Sequence, residues 1–122
     1  MSNFMPIIYL KEKCPFCFKV RIALLETGLA DKVEIREFAQ GTEAETKIKS
    51  ELSPHLEKVS FPAAQIEPGN YIADSDAIIA QLQKIAKMDS AALPVLNAYV
   101  TGPFNGLMEL YRENMELKAR TT

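Results

Sequence analysis

Residues 5 to 28 read MPIIYLKEKCPFCFKVRIALLETG, and the fold turns on this stretch. Its first half, MPIIYL over residues 5–10, is a short unbroken apolar run of the kind a strand buried on both faces requires. Its second half spaces Val20, Ala23, Leu24 and Thr27 helically, and Gly28 supplies a C-terminal stop. Between the two lie Cys14 and Cys17, separated by Pro15 and Phe16. Three readings of that pair are open: a metal site, a structural disulfide, or thiol chemistry.

The rest of the chain narrows the choice. At 122 residues it has room for one domain, and 48% apolar with 25% charged residues is a globular composition with enough material for a core. A net charge of −2 offers no basic field for nucleic acid or an anionic membrane. No apolar stretch is long enough to span a bilayer. The opening residues Met1 to Phe4 lack the charged and apolar regions of a secretory signal, so the expected location is the cytoplasm. A reducing compartment argues against a permanent staple. Zinc would need two further ligands, but His55 is the single histidine and no second Cys-x-x-Cys pair exists, so the expected metal content is none. Redox chemistry is the leading reading.

Outward from this stretch, VEIREF at 33–38 alternates as a half-exposed strand should. Thr42 and Glu45 have capping-box spacing ahead of Ala44, Ile48 and Leu52, a narrow stripe on a charged helix ended by Pro54. AAQI (63–66) and YIA (71–73) flank the turn residues EPGN, which predicts a hairpin. A third helix opens at Asp74 or Ser75 and places Ile78, Leu82 and Ile85 on one face, with Ile79 and Ala86 beside them. The order is β-α-β-α-β-β-α. The first two strands should be parallel and the last two antiparallel, in a small mixed sheet with helices on both faces. After this unit, residues 1–88, an extension over 89–122 carries two helices or one broken helix. Leu93, Leu96, Tyr99 and Val100 form the first stripe and Phe104, Leu107, Met108, Tyr111 and Met115 the second, with TGP (101–103) between them. These stripes read as core or interface.

A Cys-x-x-Cys between strand and helix has a physical use. Cys14 would stand at the helix N-terminus, where free N–H groups and the dipole favour a sulfur anion. Pro15 fits the first turn, and Cys17 lies one turn on, able to attack a mixed disulfide at Cys14. The dipole supplies about 2 kcal/mol at most, roughly one and a half pKa units, so N–H···S⁻ bonds and a cation must add to it. Lys11 and Lys13 are the adjacent cations.

IIYLKEKCPFCFKVRIALLETGL resembles the opening of glutaredoxins and of the thioredoxin-fold half of glutathione transferases. That resemblance implies a thioredoxin-like fold and a glutathione-dependent thiol–disulfide oxidoreductase. Cys14 would be the attacking and Cys17 the resolving cysteine, with glutathione as co-substrate and disulfides or glutathionylated proteins as substrates. Lys11, Pro15 and Phe16 fall in the matching stretch and are assigned with it to the binding of glutathione. Pro62, in VSFPAAQI, stands where these families carry a cis proline, so that the backbone of Phe61 would pair with the cysteinyl part of glutathione. A trans proline opening an edge strand is the plain alternative. ADSDAIIAQL (73–82) resembles the acidic-Ser-x-Ala-Ile signature of glutathione transferases. By it Ser75 and Asp74 would take the γ-glutamyl end, with Asp76, the acidic residue after the serine, as the alternative for its α-amino group, although Asp74 and Ser75 also suit an ordinary N-cap. Lys58 is a further candidate, for the glycyl carboxylate. The transferase relatives carry a longer helical second domain, of which the extension resembles the beginning. A non-catalytic glutathione-binding or assembly module is therefore the second reading, and three roles are open for the extension: capping the domain, pairing with another subunit as in a homo-oligomer, or being the start of a truncated helical domain. An iron–sulfur carrier with one cysteine per subunit is the third reading.

Overall fold

The fold is taken from a computed structural model, which describes residues 4–121. Strand β1 (Ile7–Lys11) leads into helix α1 (Pro15–Glu26), followed by β2 (Glu34–Phe38), α2 (Glu43–Leu52), the hairpin β3 (Ala63–Glu67) and β4 (Asn70–Ile72), and α3 (Ser75–Ala86). The sheet order is β2-β1-β3-β4. β1 runs parallel to β2, with Ile8 opposite Ile35, and antiparallel to β3, with Ile8 opposite Ala64; β3 and β4 are antiparallel. This is the expected thioredoxin-like α/β arrangement.

The central position of β1 explains its unbroken apolar run. Ile8, Tyr9 and Leu10 are all fully buried, but successive side chains point to opposite faces. Ile8 and Leu10 join Val20, Ala23 and Leu24 of α1 and Ile78 and Leu82 of α3 in one core. Tyr9 joins Phe38, Ile48, Leu52 and Ala63 in a second core on the other face, beneath α2. Gly28, at φ +76°, ends α1, and Gly69, at φ +79°, turns the hairpin, where its N–H donates to Gln65 Oε1 at 3.0 Å.

Three local expectations need correction. Thr42 does not cap α2 with its side chain: its hydroxyl donates to Ala39 O (2.7 Å), and Glu45 accepts from Gly41 N (2.8 Å), one residue short of the reciprocal box. Ile35 stays exposed because β2 is an edge strand. Ile85 is exposed as well. The buried face of α3 centres between Ile78 and Ile79, which leaves Ile85 at its margin.

The residues after 88 form a short 3₁₀ turn (Ser90–Ala92), helix α4 (Pro94–Tyr99), a π-helical turn (Val100–Phe104) and helix α5 (Asn105–Thr121). The extension is thus one helical run with a wide turn in it. Pro103 lies inside that turn. Its missing N–H and bulky ring forbid a regular i→i−4 bond, so the backbone widens there instead of stopping. Leu93 and Leu96 are buried against the α1–α3 core. Glu26, at the end of α1, ties the extension down, its carboxylate accepting from Val95 N (3.0 Å) and Leu96 N (2.6 Å). These are free donors at the start of α4.

Candidate active site

Cys14 is the N-cap of α1 and Pro15 its first helical residue. The turn that brings the chain from β1 into this cap puts Lys13 at φ +60°, a left-handed conformation uncommon outside glycine. Both cysteines are free thiols; Cys17 is buried and Cys14 only partly so. Cys14 Sγ accepts from Cys17 N at 3.4 Å, and Cys17 Sγ accepts from Lys11 N at 3.3 Å.

The two thiols are driven apart. The Cys17 thiol donates to the Cys14 sulfur; this bond, the N–H groups of Cys17 and Phe16, and the Lys11 charge outweigh burial and lower the Cys14 pKa to about 6. The bond to Cys14, together with burial, pushes Cys17 well above the ordinary thiol range. At neutral pH the pair is therefore an anion at Cys14 and a proton on Cys17. A thiol near its ordinary pKa would be only a few per cent ionised there.

Two clefts flank this first turn. The first, of about 480 Å³, is lined by Lys11, Lys13, Cys14, Pro15, Phe18, Arg21, Glu37, Tyr99 and Leu107, among others. The second, of about 490 Å³, is lined by Phe16, Lys19, Phe61, Pro62, Ala73, Asp74, Ser75, Asp76, Phe104 and Met108. Both have the size of small-molecule sites. Of the candidates from sequence, Lys11, Cys14 and Pro15 therefore share one cleft, and Phe16, Phe61, Pro62, Asp74 and Ser75 share the other. Cys17 lies behind them in the core, and Lys58 lines neither cleft. The Phe61–Pro62 peptide is cis. Asp74 is the N-cap of α3, its side chain accepting from Asp76 N at 3.0 Å, and Ser75 is buried at the first helical position. His55 stacks flat on Tyr71, with 4.1 Å between ring centroids.

Three residues of the site, Tyr99, Phe104 and Lys19, were not picked out as site residues in the sequence. Tyr99 and Phe104, at the two edges of the π turn, pack on the cysteine turn. The Tyr99 hydroxyl donates to Pro15 O at 3.0 Å, and its ring meets Phe18 edge-on at 5.1 Å. Phe104 meets Phe16 edge-on at 5.2 Å. Burial and the Cys14 charge raise the Tyr99 pKa, so its hydroxyl stays protonated beside the anion. Aromatics bracketing a Thr-Gly-Pro interruption were the available signal. Lys19 and Asp76 form an ion pair at 2.8 Å. They are 57 positions apart, and a lysine in FKVR reads as solvated.

The sequence family described as glutathione S-transferase, N-terminal domain, matches residues 13–85, more than half of the chain. The chain belongs to this family. Solved structures show the same fold. A possible glutathione S-transferase from Rhodopseudomonas palustris superposes with TM-score 0.50 at 20% identity, over 66% of this chain and 40% of its own. A glutathione S-transferase from the Antarctic clam Laternula elliptica gives TM-score 0.51 at 20% identity, over 69% and 36%. Glutathione transferase Omega 2C from Trametes versicolor gives 0.50 at 21%, over 68% and 38%. The matched region spans about two-fifths of the length of each. A search of curated proteins gives no match.

Proposed function

We propose that the protein is a glutathione-dependent thiol–disulfide oxidoreductase of glutaredoxin type, acting in the cytoplasm on disulfides or glutathionylated proteins. The observation that carries this reading is a Cys14 thiol with a pKa of about 6 at the cap of α1, flanked by a cleft that holds Phe61, Pro62 and the start of α3. In the proposed reaction the Cys14 thiolate attacks the glutathione sulfur of a mixed disulfide. The new Cys14–glutathione bond forms as the old S–S bond breaks, and the substrate leaves as a thiolate that takes a proton. A second glutathione, as thiolate, attacks that adduct, releasing oxidised glutathione and restoring the Cys14 anion. Phe61 would hold the cysteinyl backbone, and Asp74 with Ser75 the γ-glutamyl end. Lys11 favours the anion, while Pro15 and Phe16 shape the turn against the bound tripeptide.

Cys17 resolves intermediates in which a dithiol substrate is attached to Cys14. While Cys14 is an anion, its hydrogen bond and charge raise the Cys17 pKa. Once Cys14 is in a mixed disulfide both influences vanish, and the Lys11 N–H and charge act on Cys17 against burial alone. Attack by Cys17 is thereby delayed until there is something to resolve.

A glutathione-coupled disulfide reduction assay tests the reading: Cys14→Ser loses turnover, and Cys17→Ser keeps deglutathionylation but loses reduction of dithiol substrates. Full activity of Cys14→Ser ends it. One observation favours the second reading, an assembly module. Helix α5 exposes Leu107, Leu110, Tyr111, Met115 and Leu117, and an apolar row of this kind marks an interaction surface. That reading needs a Cys14 pKa near an ordinary thiol and an obligate complex on size exclusion.

A further inference from the structure

Tyr99 is the last residue of α4 and lies outside residues 13–85, the segment that matches the family. Its hydroxyl donates to Pro15 O at 3.0 Å across a partly buried contact. The ring is held independently of that bond, edge-on to Phe18 at 5.1 Å and tilted on Phe104 at 5.7 Å. What matters is which carbonyl accepts. Pro15 opens α1, and its carbonyl belongs to the same peptide group as the Phe16 N–H. That N–H donates to the Cys14 sulfur, beside the N–H of Cys17. The Tyr99 hydroxyl, the Pro15–Phe16 amide and Cys14 Sγ therefore form one hydrogen-bonded chain.

Such a chain acts on its far end in two ways. An amide whose oxygen accepts a hydrogen bond is polarised, and its own N–H bond strengthens by about 10–30%. The bond also pins the plane of the peptide, which keeps the N–H aimed at the sulfur. Burial and the Cys14 charge raise the Tyr99 pKa, so the hydroxyl keeps its proton and remains a donor beside the anion. The other titratable groups around Cys14 are Lys11, Glu12 and Lys13 ahead of it, Cys17 and Arg21 on α1, and Glu37 of β2, which is paired with Arg21. Of the groups named, only Tyr99 belongs to the extension, and removing its hydroxyl leaves the rest in place.

We propose that Tyr99 is a positioning residue for Cys14, acting through the Pro15–Phe16 peptide: its hydroxyl holds that amide and strengthens the amide's bond to the sulfur. The extension thereby sets the reactivity of the site as well as covering it. The inference rests on the thiol-exchange reading, in which Cys14 is the attacking anion.

Tyr99→Phe removes the hydroxyl and keeps the ring. The rate of Cys14 alkylation by iodoacetamide is followed against pH in this variant and in wild-type protein. The midpoint should rise by about 0.2–0.7 pH units, the stated share of one charge-assisted bond. Well below the midpoint, alkylation should slow by about 1.5- to 5-fold. The plateau rate should hold or increase slightly, because a more basic thiolate attacks faster. The Phe16 amide proton should move upfield, as a weakened donor does. A residue that only packs would change the unfolding temperature and leave the midpoint alone, so an unmoved midpoint overturns the proposal whatever happens to stability. A midpoint that rises while the Phe16 resonance stays put overturns it too, since the effect would not run through the peptide. Wild-type protein gives a second measurement that needs no substitution: the Phe16 amide proton should move downfield as Cys14 ionises, and a flat response overturns the proposal. A wild-type midpoint near 6 that Tyr99→Phe leaves in place sinks this inference alone. A wild-type midpoint near the ordinary 9.0 sinks the thiol-exchange reading and the inference with it.

Discussion

Cys14 and Cys17 form one electrostatic unit, with an anion that exists because its neighbour donates to it. The pH dependence follows directly. Cys14 lies at about 6 against an ordinary 9.0, so its nucleophilic form is present above about pH 6 and is lost as the pH falls through that value. The second-order rate of alkylation by iodoacetamide should therefore rise to a plateau with its midpoint near pH 6. In Cys17→Ala, which removes the largest contribution to the shift, the midpoint should move upward toward the ordinary thiol range. An unmoved midpoint would mean that the backbone N–H groups alone hold the anion. At this scale much was legible in the sequence. Cys14 and Pro15 are set by local backbone chemistry, and the cap and the first helical turn are where the motif puts them, whereas the cis peptide at Pro62 was legible only through the family resemblance. Lys19 was not legible. Its burial depends on Asp76 and Phe104, and no local pattern reports a partner 57 or 85 positions away.

Among the elements, α1 joins both ends of the molecule. Its first residue follows Cys14, and its last, Glu26, holds the start of α4 through two backbone donors. Those bonds place α4 so that Tyr99 and Phe104 arrive on the cysteine turn. Glu26→Ala should lower stability by about 0.5–2 kcal/mol, the usual effect of losing a helix N-cap, measured by urea unfolding. Loss of order in the extension should accompany it, seen as sharpened Tyr99 and Phe104 resonances. A variant with unchanged stability would show that Leu93 and Leu96 anchor α4 unaided. The strand and helix order was readable from periodicity, because β1, α1 and α3 have strong apolar patterns. The Thr42 side-chain cap and a buried Ile85 were over-read: each followed a spacing rule that a competing local contact, or the exact centre of the buried face, displaced. The π turn was visible only as an interruption, since Thr-Gly-Pro announces a break without saying whether the helix resumes on the same axis.

For the molecule as a whole, two cores lie on opposite faces of one sheet, the first containing Cys17 and packed against Cys14, while the helical run carrying Tyr99, Phe104, Leu107 and Met108 walls both clefts. No helix among the described residues is long and apolar enough to cross a membrane. The family and fold define a glutathione transferase N-terminal domain, and the proposal of thiol exchange rests on the Cys-Pro-Phe-Cys turn. The most direct measurement is mass spectrometry of Cys17→Ser protein after one turnover with a glutathionylated peptide. The account predicts glutathione disulfide-bonded to Cys14 and the peptide released with a free thiol. Peptide on Cys14, or no adduct at all, would contradict it.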